Sequence, residues 1–563
     1  MRVRPPLLLI IAAAITFLGL VWNLAGYPLL DPDEGRNAEI AREMAETNDY
    51  VLPHLNGLPY VDKPVLFFAA AAVSIEIFGA NEFAVRLPPL LFTLATLGVI
   101  AWFATRLFGP TAGWVAAIAT GSMPLTLAFA RTVIFDSLLT LFVVTSLVAF
   151  YQAVETATER SGWWATVGWA AIALGLLTKG PIALAVPLLV MLPYAMWRRR
   201  ARVVGDPVAI LLCVALLLPW VAAVARRVPE FVEYALVTET FKRLTTEELQ
   251  RTGPFWYFLP ILAAGSLPWC LVAISGSWST RGERDHGTPR DPRIVFLLIW
   301  IVAPLILFTL SQSKRPQYMV PIIPAVGLLA GYYWRDAARA AGARLTAALL
   351  VVPLAIVASA PFVVPRLLDV EPDVLAAIPQ TAAVLGGATA LSVALLWVAR
   401  NRVPLAVVAA CLPVAAIPFA STQLMDAIGR DRSAAGLAEA IRPRLSDATQ
   451  IVAVHTFPLS LPFYLHRRVV LSSTDAHELT SNYLVRYPQV WQSGFESPVR
   501  NPDWWMDALI ECTRPRVFII DRANDSDRQL LGQRLPLIGE NTRVAAYGPC
   551  VVTDLASATR PPS

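Results

Sequence analysis

The chain has 563 residues, of which 56% are hydrophobic and only 15% are charged, and its mean hydropathy is +0.55. This composition excludes a soluble globular protein and predicts a polytopic membrane protein. The net charge of +5 comes mostly from Arg-rich connections between apolar segments, so it does not indicate nucleic-acid binding.

Apolar windows of about 20 residues, the length that crosses a hydrocarbon core, recur along the chain. The first one follows Arg2 and Arg4. Because no small-residue cleavage site precedes the acidic stretch after it, we interpret it as a retained span and not as a signal peptide. The predicted spans are residues 6–24, 87–106, 112–130, 134–152, 163–178, 181–197, 207–225, 256–278, 294–311, 316–334, 345–365, 379–399 and 403–421. The sequence thus predicts about thirteen membrane-spanning helices.

The basic residues predict the orientation of these spans. If the N-terminus is cytoplasmic, the basic stretches at residues 198–202, 281–293, 335–344 and 399–402 are cytoplasmic as well. An odd number of spans then places the C-terminus outside.

The composition changes near residue 425. From there charged residues, helical periodicity and β-rich runs alternate, and no apolar window is long enough to span a membrane. We therefore predict a membrane domain over residues 1–424 and a small soluble α/β domain over residues 425–563, outside the membrane. Cys512 and Cys550 both lie in the soluble domain, and we predict a disulfide between them because an exported domain meets an oxidising compartment.

An acidic cluster directly follows the first span. Carboxylates at a bilayer edge are costly unless they pair, bind a cation or meet solvent. Asp33 and Glu34 begin a predicted helix, so capping and the helix dipole explain part of the cluster. Capping can explain Asp31, but it cannot explain all three carboxylates.

A second acidic group is predicted to face the same compartment. Asp136 starts a span five residues after Arg131. A helix cap or an ion pair with Arg131 explains it as well as a function does. Two separated carboxylates facing one compartment suit general-base work, orientation of a base, or metal binding.

Cations recur in the predicted outer loops, at Lys63, Lys179, Arg243, Lys314 and Arg315. Taken singly, each is better explained as an anchor that reaches the headgroup region. Taken together they favour an anionic lipid headgroup, since Arg and Lys hold phosphate and stabilise charge on a departing phosphate. The sequence has no P-loop, dinucleotide motif or nucleophile elbow. Because a soluble nucleotide sugar could not reach the outer face, an enzyme working there must take its activated group from a lipid carrier.

A series of segments resembles, in the same order along the chain, the ArnT-like group of bacterial aminoarabinose transferases and protein O-mannosyltransferase-like enzymes. These are GT-C integral membrane glycosyltransferases. The segments are "DPDEGRNAEIAREM", "PHLNGLPYVDKP", "NEFAVRLP", "ARTVIFDSLLT", "GPFWYFLP" with "GSLPW", and "SQSKRPQYMVPIIPAVGLL". The resemblance covers about residues 1–335. It implies a GT-C type fold of about thirteen spans, helices at the membrane surface in the first outer loop, and sugar transfer at the periplasmic face of a bacterial inner (plasma) membrane.

The resemblance also implies roles for individual residues in the first outer loop, residues 25–86, and beyond it. Asp33 matches the catalytic-site Asp of the family, Glu34 matches its neighbour, and Arg36 matches the Arg that follows. Lys63 matches a Lys associated with the donor phosphate, and Asp136 matches a second acidic site residue.

Two positions depart from the family pattern. Asn37 stands where relatives commonly have Tyr, and Asp62 stands where they commonly have Glu. Some relatives bind a metal through a His in the large outer loop, but residues 226–256 contain no His. A divalent metal ion is therefore left open, with Asp62 as the one candidate ligand.

We predict an inverting glycosyltransferase that moves a sugar from a polyprenyl (undecaprenyl) phosphate carrier to lipid A, another envelope glycan or a protein. Asp33 would position or deprotonate the acceptor. Lys63 and Arg36, with Arg243, Lys314 or Arg315, would stabilise the leaving phosphate. The alternatives are a protein O-mannosyltransferase and, in another class, a transporter of lipid-linked sugars. A transporter would favour ionisable sites at mid-membrane and internal repeats, whereas these polar motifs gather at one surface.

Overall fold

The computed structural model describes residues 6–156, 160–235, 253–279, 291–367, 371–399, 402–492 and 497–550. The chain forms two compact units. The first, here the helical unit, is Met1–Gly26 with Arg86–Met425, and the second, here the α/β unit, is Tyr27–Val85 with Asp426–Ser563. The first predicted outer loop thus belongs to the same unit as the C-terminal region. The predicted boundary between a membrane domain (residues 1–424) and a soluble domain (residues 425–563) stays a prediction.

Most of the helical unit consists of apolar helices, several of which begin at a proline. Proline favours the first helical position because its fixed φ suits a helix and its missing N–H would be unpaired there. The helices are Leu7–Val21, Glu82–Phe108, Pro110–Gly121, Pro124–Phe129, Asp136–Glu155, Arg160–Lys179, Ile182–Trp197, Ala201–Val204, Pro207–Arg227, Phe231–Glu233, Phe258–Gly265, Trp269–Ser279, Pro292–Leu310, the 3-10 turn Pro316–Ile322, Ile323–Ala337, Ala340–Leu367, Pro372–Ala399, Val403–Ala415 and Ile417–Ala420.

Seven helices in the described part of the chain are long and apolar enough to cross a membrane. They are Glu82–Phe108, Asp136–Glu155, Ala201–Arg227, Pro292–Leu310, Gly342–Arg366, Pro372–Ala399 and Val403–Ala420. Of these, Ala201–Arg227 comprises Ala201–Val204 and Pro207–Arg227, and Val403–Ala420 comprises Val403–Ala415 and Ile417–Ala420. Three shorter apolar helices, Leu7–Val21, Leu66–Phe78 and Ile182–Trp197, accompany them. The chain is a predominantly helical, multi-pass membrane protein, as predicted, and the total of about thirteen spans stays a prediction.

Two predicted spans are broken where prolines follow. The predicted span 256–278 consists of Phe258–Gly265 and Trp269–Trp278, which are bent by 91°. The predicted span 112–130 consists of Pro110–Gly121 and Pro124–Phe129. Pro268 and Pro124 lie at the breaks, and each lacks the N–H that would continue the helical hydrogen bonds. An average over an apolar window does not reveal such breaks.

Close helix packing in the helical unit depends on two glycines spaced four residues apart. A Cβ on Gly327 would lie 2.0 Å from Thr120 Oγ1, and one on Gly331 would lie 2.7 Å from the Cβ of Ala116. Small residues at this spacing let two membrane helices approach closely. The helix Ile323–Ala337 therefore packs directly on Pro110–Gly121, although neither is among the longest helices.

The α/β unit contains a six-stranded sheet and a two-stranded hairpin. The hairpin strands are β1 (His54–Leu55) and β2 (Leu58–Pro59). The sheet strands are β3 (Gln450–Val454), β4 (Val470–Ser472), β5 (Val499–Arg500), β6 (Arg516–Asp521), β7 (Leu537–Glu540) and β8 (Val544–Tyr547). Their order is β5-β4-β3-β6-β8-β7, parallel from β5 to β6, while β8 is antiparallel to both β6 and β7. The predicted small α/β domain is confirmed.

Within the described ranges, eleven helices and 3-10 turns accompany these strands, two of them in the first loop. They are Asp33–Thr47, Leu66–Phe78, Thr422–Arg432, Ala435–Ile441, the 3-10 turn Arg442–Arg444, Leu461–Leu465, the 3-10 turn His477–Leu479, Asn482–Arg486, Gln489–Gln492, Trp504–Glu511 and Asp525–Arg534. Cys512 and Cys550 are joined by the predicted disulfide and belong to the apolar core around β3 and β6.

The first loop is joined to the residue before β4 by two hydrogen bonds between a side-chain amide and the backbone. Asn56 Nδ2 donates to the carbonyl of Val469 (2.7 Å), and the N–H of Val469 donates to Asn56 Oδ1 (2.9 Å). Tyr464 accepts from the N–H of Leu29 (2.8 Å) and donates to Glu82 (2.8 Å), so it contacts both ends of the loop. The loop is therefore held in a fixed conformation by the C-terminal region.

Candidate functional site

In the α/β unit, the predicted catalytic Asp33 is paired with Arg36. Both lie at the start of the helix Asp33–Thr47, three residues apart, which places them on one helix face. Arg36 Nη2 lies 2.5 Å from Asp33 Oδ1. The side chain of Asp33 is 40% exposed and that of Arg36 is 13% exposed, so the carboxylate is the accessible partner.

Arg36 stays charged in this environment. Burial lowers its pKa, but Tyr60, Asp33 and Asp62 together outweigh burial, and the pKa is raised above its ordinary value. Arg36 Nη1 donates to Thr480 Oγ1 at 2.9 Å. Within the described residues its Nε is buried and has no hydrogen-bond partner, so the guanidinium retains a donor that protein groups do not use.

The remaining acidic residues at the start of the loop have structural partners. Glu34 is buried and accepts from the N–H of Leu30 (3.1 Å), just before the helix. Asp31 accepts from the hydroxyl of Ser460 (2.9 Å). A Cβ on Gly35 would lie 2.0 Å from Asp31 Oδ1, so only glycine allows this close approach. Burial raises the pKa of Asp31 to about 7, although Ser460 and Arg543 act in the opposite direction.

Further along the same helix, the ionisable side chains contact other groups of the fold. Arg42 makes two hydrogen bonds to Glu39, at 2.6 and 2.7 Å, and both side chains are buried. Glu43 accepts from the N–H of Gly57 at 3.0 Å, which fixes the turn of the β1–β2 hairpin. The second half of the charged stretch therefore makes structural contacts, whereas the first half contains Asp33 and Arg36.

The predicted phosphate ligand Lys63 follows a tightly held Asp62. The carboxylate of Asp62 accepts hydrogen bonds from the hydroxyl of Ser481 and from the N–H groups of Asn482 (2.9 Å) and Tyr483 (3.3 Å). Lys63 Nζ donates to the carbonyl oxygen of Asp62 at 2.5 Å. With its oxygens used in this way, Asp62 serves as a hydrogen-bond acceptor, and the arrangement does not support a metal ligand.

In the helical unit, Asp136 forms an ion pair with Lys179. Lys179 Nζ lies 2.5 Å from Asp136 Oδ1, and the side chain of Asp136 is only 3% exposed. Asp136 begins one helix and Lys179 ends the next, so the pair joins the helix ends. Arg131 donates to the carbonyls of Gly19 (3.4 Å) and Asn23 (3.1 Å).

The other predicted cations are placed as follows. Lys314 Nζ donates to the carbonyls of Phe308 (3.2 Å) and Thr309 (2.5 Å), and burial lowers the pKa of Lys314. Arg315 is half-buried just before the 3-10 turn Pro316–Ile322. Arg243 lies outside the described residues. Lys314 therefore caps a helix end as well as carrying a charge.

The helical unit contains a small cavity whose lining includes Ser137, the residue that follows Asp136 in the chain. Its lining includes the hydroxyl residues Thr93, Thr96, Thr120, Thr126, Ser137 and Thr140. Its volume of about 20 Å³ is enough for about one water molecule and far too small for a sugar ring. This cavity therefore does not accommodate a donor sugar in the present conformation.

Sequence reasoning missed the partners that the C-terminal region supplies. Thr480 contacts Arg36, Ser481 contacts Asp62, and Ser460 contacts Asp31. At least 419 residues separate each pair, and single Ser and Thr residues in loops carry no distinctive pattern. Among the described residues, one cluster with metal-ligand types, Asp475 with His477 and Glu478, is mostly exposed.

Comparison with known proteins gives a consistent result. A family model described as dolichyl-phosphate-mannose-protein mannosyltransferase matches residues 62–225. An undecaprenyl phosphate-alpha-4-amino-4-deoxy-L-arabinose arabinosyl transferase of Yersinia enterocolitica is 35% identical over 318 residues, which is 55% of this chain and 56% of the relative. The Serratia proteamaculans enzyme of the same name is 34% identical over 336 residues, 57% and 58% of the two chains. The chain thus spans a little over half the length of the curated relatives it matches.

Similarity of structure extends further than similarity of sequence. The crystal structure of ArnT from Cupriavidus metallidurans bound to undecaprenyl phosphate matches with a TM-score of 0.80 at 25% identity, over 96% of this chain and 97% of that one. The apo form of the same protein matches with a TM-score of 0.78. The comparisons confirm the predicted resemblance: the chain has the GT-C fold of ArnT and is similar in sequence to the ArnT-like integral membrane glycosyltransferases.

Proposed function

We propose that this chain transfers a sugar from a polyprenyl phosphate carrier, with undecaprenyl phosphate as the lipid, to an acceptor such as lipid A, another envelope glycan or a protein, with inversion at the anomeric carbon. The observation that carries the proposal is the Asp33–Arg36 pair. Its carboxylate is 40% exposed, and its loop also contains Lys63. The likeness in fold to an ArnT bound to undecaprenyl phosphate supports the choice of lipid.

The chemistry needs a base and a stabilised leaving group. The acceptor heteroatom attacks the anomeric carbon, the bond from that carbon to the phosphate oxygen breaks, and polyprenyl phosphate departs. Asp33 would position the acceptor or take its proton, which is a contribution of general-base type. Arg36 and Lys63 would stabilise the charge that develops on the phosphate. No metal is needed for these steps, and Asp62 already accepts three hydrogen bonds.

We further propose that the reaction takes place at the periplasmic face of a bacterial inner membrane. The Arg-rich loops predicted to be cytoplasmic support this orientation. The acceptor class is lipid A, another envelope glycan or a protein. The names of the curated relatives favour a sugar of the aminoarabinose type.

Binding of the free lipid product tests the site directly. Purified full-length chain in detergent should bind undecaprenyl phosphate, and Lys63→Ala should weaken binding by about tenfold, the loss of one charge-assisted contact. Lys63→Arg should restore binding only partly, because a planar guanidinium differs in shape from an ammonium. Arg444→Ala, which removes an exposed cation of the same unit, serves as the matched control.

Equal affinity of Lys63→Ala and the wild type would remove Lys63 from the site. If reconstituted wild type transfers no sugar but moves polyprenyl phosphates between leaflets, the chain is a transporter and the proposal fails.

A further inference from the structure

We propose that residues 480–483, here the 480–483 segment, position the two donor-phosphate cations, and that Thr480 is the positioning residue for Arg36. That these cations bind a phosphate rests on the proposed function, whereas the contacts of the segment do not depend on it. The proposal gives the C-terminal region a role in the reaction, although none of its residues is expected to contact the reacting atoms.

Thr480 fixes the orientation of the Arg36 guanidinium. Nη1 of Arg36 donates to Thr480 Oγ1 (2.9 Å) while Nη2 donates to Asp33 Oδ1 (2.5 Å). Because a guanidinium is planar, two hydrogen bonds on different nitrogens determine the direction of its remaining N–H groups. Arg36 also lies over the ring of Tyr60, 6.0 Å from the centroid. The cation is thus held by a hydroxyl, a carboxylate and an aromatic face.

The backbone of Thr480 supports this role. Its φ of 53° and ψ of 32° are left-handed, a conformation that costs free energy for a β-branched side chain. Glycine or asparagine would adopt it more readily, so folding alone does not favour threonine here. The hydroxyl that contacts Arg36 supplies a reason for threonine at a strained position.

The rest of the segment holds the residue before Lys63. Ser481 donates its hydroxyl to Asp62, and the N–H groups of Asn482 and Tyr483 donate to the other carboxylate oxygen. Ser481 also caps the helix Asn482–Arg486 by accepting from the N–H of Leu484 (3.3 Å). Lys63 Nζ donates to the carbonyl oxygen of Asp62. The hydrogen bonds that hold Asp62 in place therefore also determine the position of the Lys63 ammonium.

A role in folding alone makes a different prediction from a role in positioning. If the segment only stabilises the unit, binding should change in parallel with stability. If Thr480 positions Arg36, stability and binding can change in opposite directions. Thr480→Gly separates the two, because glycine relieves the left-handed backbone and removes the hydroxyl at once.

The experiment uses full-length chain in detergent with undecaprenyl phosphate as the probe. Thr480→Gly should melt at the wild-type temperature or higher, and its Kd for undecaprenyl phosphate should rise about tenfold. Thr480→Ser keeps the hydroxyl and should bind within about twofold of wild type. Ala476→Gly is the matched control, because Ala476 is also left-handed (φ 60°) in the same loop but has no hydroxyl to offer. Its Kd should not change.

Equal affinity of Thr480→Gly and wild type, or an equal loss in Ala476→Gly or Thr480→Ser, would overturn the proposal. Hydrogen exchange without lipid provides a second test that does not depend on the ligand. In Thr480→Gly alone, peptides containing Arg36 should exchange at least about threefold faster. Unchanged exchange overturns the positioning role. Wild-type chain that fails to bind undecaprenyl phosphate overturns the proposed function, and exchange then decides the positioning role by itself.

Discussion

At the residue scale, Asp33 carries the clearest chemical expectation. It is an accessible carboxylate held at a defined position by Arg36. Asp33→Asn keeps the size and much of the hydrogen bonding but removes the base and the negative charge. Transfer should therefore fall by roughly 100-fold or more, the scale of general-base contributions.

Purification and a melting curve separate chemistry from folding for Asp33→Asn. The variant should keep the wild-type melting temperature and its binding of undecaprenyl phosphate. Near-normal transfer by the well-folded variant would move the assignment to another carboxylate, with Asp136 as the next candidate.

Asp31 gives the α/β unit a dependence on pH. Its pKa is raised to about 7 from an ordinary value of 3.8, so the folded state binds a proton that the unfolded state releases. The stability from this group is fully present below pH 3.8 and is lost as the pH rises through about 7. Glu39, whose pKa burial raises to about 8, acts in the same direction.

Removing the Asp31 titration should therefore flatten the pH profile. Asp31 and Glu39 should make the wild-type chain melt at a higher temperature at pH 5 than at pH 8. Asp31→Asn should reduce that difference. The remaining difference should come from Glu39, which the substitution leaves in place. Melting curves at the two pH values provide the measurement, and an unchanged difference in Asp31→Asn would contradict the assignment.

At the element scale, the Asp136–Lys179 pair joins the start of one helix to the end of the next. Removing one partner leaves a buried charge, which typically costs about 3–5 kcal/mol, whereas replacing both partners is often nearly neutral. Asp136→Ala should thus lower the free energy of unfolding by about 3 kcal/mol, and Asp136→Ala with Lys179→Met should regain most of it.

Denaturant titration of the single and double variants measures this effect. If Asp136 also has the predicted role in the site, the stable double variant should still transfer sugar poorly. A double variant as unstable as Asp136→Ala would show that the ion pair is not what the substitution removes.

Local sequence patterns predicted the fold better than the partners of individual residues. The acidic stretch correctly indicated a helix beginning at Asp33, and the composition change correctly indicated the sheet after residue 425. For Asp136 the sequence suggested a helix cap or an ion pair with Arg131 as alternatives to a function, but it did not indicate the ion pair with Lys179, on another helix. Thr480 and Ser481 could not be predicted, because their contacts depend on tertiary packing over more than 400 residues of separation.

At the whole-molecule scale, orientation is the prediction on which a single active face depends. Reporters fused after residues 200 and 290 should report the cytoplasm, and one fused after residue 430 should report the periplasm. The first two reporters test whether the Arg-rich loops are cytoplasmic, and the third tests whether the number of spans is odd. Because the first loop and the C-terminal region belong to one compact unit, a cytoplasmic signal at 430 would place both in the cytoplasm and contradict the predicted orientation.

The central claim is transfer from a polyprenyl phosphate donor, and a transfer assay with purified chain tests it most directly. Reconstituted wild type, given undecaprenyl phosphate carrying a labelled aminoarabinose-type sugar and lipid A as acceptor, should release undecaprenyl phosphate and label the acceptor with inverted anomeric configuration. Asp33→Asn under the same conditions should label it roughly 100-fold more slowly. Failure of well-folded wild type to release undecaprenyl phosphate from such donors, with lipid A, envelope glycans or proteins as acceptors, would contradict the account.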